Sequence, residues 1–321
     1  MRMKKIIQID SDFIENNTNF LELISELKTS FSSEDTIVPM RHHHDFANPE
    51  VNVDSTLLLM PAWTPSKNAG VKIVTVSPEN SQFDLPSING TYIYLDAVRG
   101  TIKAILEAKN LTVKRTAAAS ALASSFLSNK DASSLLMIGT GALSTNLIKA
   151  HASVRPIKSV FIWGRDFKKA QAICEALKNE NFAITAVKTI EEKIAEVSII
   201  SCATLSKTPL VLGKYLKPGQ HVDLVGAYKK DMREADDETI VKAAVYIDTF
   251  QGGLKESGDI FIPLENGKLK EENIKADLFE LCSGKKTGRK NQEEITVFKS
   301  VGHALEDLAA ANYYYNKYSD E

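Results

Sequence analysis

The sequence predicts an α/β protein: a Rossmann-type, doubly wound parallel-sheet domain plus an N-terminal α+β sheet domain that a C-terminal helix completes. Three observations lead there. Residues 35–107 read as a run of strands with no helix between them, the pattern of a largely antiparallel sheet. From residue 134 onward strand and helix patterns alternate, which calls for parallel strands with helices on both faces. A pair of glycines, Gly139 and Gly141, sits where the first of those later strands turns into a helix.

Taken in order, residues 10–30 read as a helix, with Phe13, Phe20, Leu21, Ile24 and Leu27 at three- and four-residue spacing. Strand-like apolar runs follow at 36–38, 57–60, 71–76, 91–95 and 102–106, separated by Pro, Gly and Asn. Thr112 is placed to cap an Ala-rich helix, RTAAASALASSFL. Strands are then expected at 135–138, 160–163, 183–187, 197–202, 221–225 and 244–248. Helices are expected at 142–153 and 166–178, with others between most of the later strands. A last helix, about 302–316, carries Leu305, Leu308 and Ala309, ends in Tyr313-Tyr314-Tyr315 and is expected to return to the N-terminal domain.

Composition narrows the function classes. The 321 residues are 43% hydrophobic and 25% charged, which excludes a disordered or collagen-like chain. Lys plus Arg number 39 against 41 Asp plus Glu, so no bulk charge favours nucleic acid or an anionic membrane. The three cysteines, Cys174, Cys202 and Cys282, are odd in number and far apart, which fits a reducing compartment rather than a disulfide or zinc framework. No signal-peptide core or spanning apolar run is visible, so a cytoplasmic protein is expected.

The segment LLMIGTGALSTNLIKAH carries the first chemistry. Gly139 allows the tight turn, Gly141 lets a pyrophosphate approach the backbone, and Thr140, Ala142 and Leu143 complete the loop. Ser144 takes the third fingerprint position as a small residue. The helix that follows offers free N–H groups and its positive end to the phosphate. The second strand, SVFIW, ends in Gly164-Arg165-Asp166 rather than directly in an acid. A guanidinium suits a 2′-phosphate, so NADPH is favoured, with NADH left open; the competing reading has Arg165 solvated and Asp166 capping the next helix or reading the ribose. Thr204, Val225, Gly226, Ser300 and Gly302 are candidates to line the cofactor cleft, at the carboxyl ends of later strands.

Three cations stand in apolar surroundings: Arg41 after TIVPM, Lys72 inside AGVKIVTV, and Arg115 near the start of the Ala-rich helix. Lys72 reads either as an edge-strand gatekeeper or as pointing into a polar site. Arg115 in a first helical turn would oppose the dipole unless it met an anion. Together the three could clamp a carboxylate. His42, His43 and His44 are consecutive, and alternate residues of a strand face opposite ways, so no metal site is expected from them.

The segments VPMR (38–41), LLMPAW (58–63), AGVKIVTVSPEN (69–80), KRTAAASALAS (114–124), MIGTGALS (137–144), HVDLVGAYKKDMREAD (221–236) and EEITVFKSVGHALEDLAAA (293–311) resemble those of the ornithine cyclodeaminase/mu-crystallin family. The resemblance covers essentially the whole chain. It implies a substrate-binding and dimerisation domain over 1–114 plus 300–321, a dinucleotide-binding domain over 115–299, and a homodimer. It also implies that Arg41, Lys72 and Arg115 surround a substrate carboxylate. The family's cyclodeaminases carry an acid where this chain has Leu58, and an Asp where it has Tyr228. Without those carboxylates the resemblance points to the ketimine-reducing members: an NAD(P)H-dependent reductase of small cyclic imino acids such as Δ1-pyrroline-2-carboxylate or Δ1-piperideine-2-carboxylate. Ornithine cyclodeaminase, alanine dehydrogenase and a non-catalytic NADPH-binding protein are the alternatives. Asp307 is expected to balance charge or support structure.

Overall fold

The structure, a computed structural model, describes residues 6–320. The chain divides into two compact units, Met1–Arg115 with Ala304–Glu321, and Thr116–His303.

The first unit begins with β1 (Ile7–Ile9), α1 (Ser11–Asn16) and α2 (Phe20–Ser32). The single helix expected over 10–30 is in fact two. Asn19 starts the second by accepting from the amides of Leu21 and Glu22, a cap that a continuous helix could not use. Then come β2 (His42–Phe46), β3 (Ser55–Thr64), β4 (Asn68–Val76), β5 (Ile88–Asp96) and β6 (Ile102–Glu107). The sheet order is β1-β6-β5-β4-β3-β2, antiparallel except where β1 joins β6 in parallel. The strand expected at 36–38 reduces to one bridge between Ile37 and Trp63; the strand falls instead on the histidines. His42 and His44 share a face, their ring centroids 6.2 Å apart. Among the described residues no three His, Cys, Asp or Glu side chains gather as metal ligands.

Helix α3 (Ala108–Leu127) runs on directly from β6. Its start corrects the expectation of a Thr112 cap. The Glu107 carboxylate takes the amides of Lys109 and Asn110 at 2.7 Å each, so the helix begins a turn earlier and Arg115 lies beyond the first turn.

The second unit continues with β7 (Ser134–Ile138), α4 (Ser144–Val154), β8 (Ser159–Trp163), α5 (Phe167–Ala176), β9 (Ala183–Ala186), β10 (Ile199–Cys202) and β11 (His221–Leu224). It closes with α6 (Asp237–Lys242), β12 (Ala244–Ile247), α7 (Phe250–Gly253), α8 (Gly258–Glu265), β13 (Ala276–Asp277), α9 (Leu278–Cys282) and β14 (Thr296–Lys299). All its strand pairs are parallel, in the order β13-β12-β14-β11-β10-β7-β8-β9. This is the doubly wound sheet expected. From β7 the chain builds outward through β8 and β9, then returns to place β10 on β7's other side. That reversal opens a crevice at the carboxyl ends of β7 and β10. One face of the sheet buries Leu136, Ile138, Ile200, Val222, Leu224 and Val297 in an apolar core. The opposite face holds a buried polar network instead, in which Asp223 accepts from Ser201 at 2.7 Å and lies 3.2 Å from His151.

Helix α10 (Ala304–Asp320) belongs to the first unit, where it packs on α2, β3, β4 and β5. Its tyrosines are anchors. Tyr313 Oη accepts from the Asn19 amide and donates to the Asn17 carbonyl, and Tyr314 Oη pairs with Thr18 at 2.7 Å. Tyr94 Oη donates to Asn312 Oδ1, also at 2.7 Å, tying the helix to β5.

Candidate active site

In the first unit the sheet face under α10 brings cations and acids together. β4 lies between β3 and β5, so Lys72 is on an interior strand and the edge reading fails. Its side chain is 4% exposed and its Nζ stands 2.9 Å from both carboxylate oxygens of Asp307. Arg115 donates from Nε to Asp307 Oδ1 at 2.9 Å and from Nη1 to Glu306 Oε2 at 2.6 Å. Glu306 and Asp307 are consecutive on the first turn of α10 and fully buried. They are the anions that make Arg115 tenable. Asp307 thus balances charge, one of the two roles expected of it, and Glu306 is a member that sequence reasoning missed. An acidic pair opening a helix reads first as dipole compensation, and nothing local points it at residues 192 positions away.

The electrostatics follow from burial. Desolvation drives the Lys72 ammonium down to a pKa of about 8, against the pull of Asp307 and with help from Arg115 and Arg41. For Arg115 burial also works against the charge, but Asp307 and Glu306 outweigh it and raise its pKa. Burial opposes the Asp307 carboxylate too, yet Arg115 and Lys72 hold it below the ordinary range. Arg41, half-buried before β2, is close enough to act on both Lys72 and Asp307. Lys72 and Arg115 therefore converge on Asp307, with Arg41 within electrostatic reach.

In the second unit the glycine loop has the geometry of a phosphate cradle. Gly139 has φ +121°, and a Cβ there would stand 2.5 Å from the Ala203 carbonyl oxygen. A Cβ on Gly141 would meet nothing within 4 Å, so this glycine faces open space, with Ala142 beside it and also exposed. Ser144 is buried and donates to the Gly139 carbonyl at 2.9 Å, closing the turn. Leu143 precedes the first turn of α4 and its carbonyl accepts from Leu147. Thr140 packs on Gly164, where a Cβ would lie 2.5 Å from its Cγ2. Asp166 accepts from the Lys168 amide and caps α5, while Arg165 is exposed. These residues fit a nicotinamide dinucleotide: an open backbone, a helix start and a nearby guanidinium.

The remaining candidates lie on loops after β10, β11 and β14. Thr204 gives its amide and hydroxyl to Glu234 Oε1 at 2.6 and 2.8 Å. The Val225 amide donates to the Cys202 carbonyl at 2.8 Å, and the Gly226 amide to Glu234 Oε2 at 2.7 Å. Ser300 and Gly302 bond to Asp248 Oδ2, at 3.2 and 2.7 Å. Their polar contacts are thus internal, and two fully buried carboxylates, Glu234 and Asp248, shape these loops. Sequence reasoning missed both. Each lies within a segment that reads as an ordinary acidic turn or strand end.

Comparison with known proteins agrees with this geometry. A curated protein of Schizosaccharomyces pombe with no assigned activity is 43% identical over 317 residues, 96% of each chain. The Δ1-pyrroline-2-carboxylate reductase of Colwellia psychrerythraea is 35% identical over 315 residues, 97% of this chain and 99% of its own. Among solved structures, the Thermococcus litoralis Δ1-pyrroline-2-carboxylate reductase, in complex with NADH and L-proline, superimposes with a TM-score of 0.91 at 32% identity, covering 98% of each chain. The family model described as ornithine cyclodeaminase/mu-crystallin matches residues 3–321, and the chain belongs to that family.

Proposed function

We propose that this chain is an NAD(P)H-dependent reductase of cyclic ketimine carboxylates, turning Δ1-pyrroline-2-carboxylate into proline and accepting the six-membered homologue. Relatives bearing that name cover nearly its whole length. The observation that carries the reading is the buried convergence of Lys72 and Arg115 on Asp307, in a chain where Leu58 and Tyr228 supply no carboxylate to deprotonate an amine. A protonated imine is already electrophilic. The protein's work is therefore positioning and charge control.

Each side chain has a part in this. A guanidinium carries five N–H donors, and the bonds to Glu306 and Asp307 fix its plane, so Arg115 can present a rigid edge to the substrate carboxylate. Arg41 adds a second guanidinium. Lys72 contributes positive charge and, with its pKa lowered to about 8, is suited to passing a proton to the imine nitrogen. In the second unit Gly139, Thr140, Gly141, Ala142 and Leu143 would hold the pyrophosphate. Thr204, Val225, Gly226, Ser300 and Gly302 would line the nicotinamide half. When bound, that group supplies the hydride.

Exposed Arg165 favours NADPH, because the Asp166 carboxylate that would discriminate against a 2′-phosphate is already engaged as a helix cap. We further propose a homodimer. The sheet face of the first unit away from α10 carries Leu59, Pro61, Val71, Ile73, Ile93 and Ile105, all half-exposed, a continuous apolar band that a second copy would cover.

Five outcomes are expected. Mixing the protein with reduced cofactor and Δ1-pyrroline-2-carboxylate consumes the cofactor. Arg115→Lys, which keeps a positive charge beside the acids but loses the fork, lowers kcat/KM by about 10²-fold or more; an unchanged value would reject the clamp. For Lys72 the sign is fixed by its lowered pKa: the charge is present below about pH 8 and lost above it. The wild-type pH profile of kcat/KM should descend above about pH 8, and Lys72→Arg should remove that limb. Arg165→Ala should raise the KM for NADPH about tenfold and leave that for NADH within about twofold. Sedimentation should give the wild type twice the mass of one chain and Val71→Lys the mass of one.

A further inference from the structure

One buried carboxylate of the second unit gathers more donors than packing requires. Glu234 is fully buried between β11 and α6. Its Oε1 accepts the amide and hydroxyl of Thr204, in the loop after β10, at 2.6 and 2.8 Å. Its Oε2 accepts the amides of Gly226 and Ala227, in the loop after β11, at 2.7 and 3.2 Å. One side chain therefore ties together two loops that follow neighbouring parallel strands. Those loops are in backbone contact, since a Cβ on Gly226 would fall 2.0 Å from the Thr204 carbonyl oxygen. They stand at the carboxyl ends of the strands, where an open parallel sheet binds its ligand.

The carboxylate is itself held. Asp259, at the start of α8, accepts the amides of Glu234 and Ala235 at 2.7 and 3.0 Å. Lys299, from β14, places Nζ 3.1 Å from Asp259 and 3.9 Å from Glu234. Two carboxylates thus face one ammonium. A charge-assisted acceptor for four donors fixes spacing more tightly than water would, and does so before the ligand arrives. We propose that Glu234 is a positioning residue that sets the separation of the Thr204 and Gly226 loops for the dinucleotide. This rests on the reading that those loops border the dinucleotide crevice.

Glu234→Gln tests it, with Asp259→Asn as comparison. Gln turns an N–H₂ toward one loop's donors, so that loop loses its acceptor. It leaves Lys299 and Asp259 as a neutral pair, so the fold should hold. Asn at 259 disturbs the same triad but leaves the four donors on Glu234. NADH is titrated into each intact protein and followed by nicotinamide fluorescence, with a thermal melt alongside. The dissociation constant should rise at least fivefold in Glu234→Gln and by less than half that factor in Asp259→Asn. A smaller rise in the first, or an equal rise in both, overturns the proposal. Should Glu234→Gln not fold, Thr204→Val, which removes one donor to Oε1, decides instead: a rise of at least threefold supports the role and a smaller one rejects it. Wild-type protein that binds NADH but leaves the imine unreduced would defeat the reductase reading alone.

Discussion

The first unit is organised around a buried ion cluster that no isolated element could form. Lys72 on β4 and Arg115 on α3 are desolvated, and each would be intolerable alone. They are stable because α10 lays Asp307 between them and sets Glu306 against Arg115. Replacing such a cluster with well-packed apolar groups would often be neutral or stabilising, whereas removing one partner is costly, so its presence argues for use rather than stability. Its consequences spread outward. The helix that supplies the acids must come back to the sheet, and the tyrosines and Asn312 that fasten it there serve that placement.

The second unit applies the same physics to backbone. Glu234 and Asp248 are buried acids whose partners are mostly main-chain amides of loops at the carboxyl ends of strands. Buried polar backbone needs acceptors, and in these loops no ladder supplies them. A carboxylate answers that need and gives the loop one conformation. The glycines complete the device: Gly139 and Gly226 admit neighbouring backbone that any side chain would exclude, while Gly141 leaves its own surface open.

The family's scaffold does not select a reaction by itself. In this chain the selection is written in two positions that carry no carboxylate. Leu58 lies on β3, whose neighbour β4 carries Lys72, and Tyr228 follows the loop that Glu234 fixes. Neither offers a carboxylate to take a proton from an amine. A substrate already carrying C=N needs no such base, which is why the same residues that argue against cyclodeamination are compatible with reduction.

Much of this was legible from residues alone. Apolar runs of strand length, punctuated by Pro, Gly and Asn, marked the interior strands of the first sheet. Strand–helix alternation and Gly139-Thr140-Gly141 disclosed the doubly wound sheet and its turn, because tight turns demand particular residue types. Arg41, Lys72 and Arg115 stood out as charges in apolar company. Boundaries set by side-chain capping were less visible: Asn19 divides the first helix and Glu107 starts α3 ahead of Thr112, since several nearby residues could cap equally well by type. What tertiary structure alone decided is partnership. That Lys72 sits on an interior strand, that Glu306 and Asp307 meet Arg115, and that Glu234 gathers Thr204 and Gly226 all depend on which distant segments adjoin. Periodicity reports whether a residue faces inward; only the folded chain determines which charge it finds there.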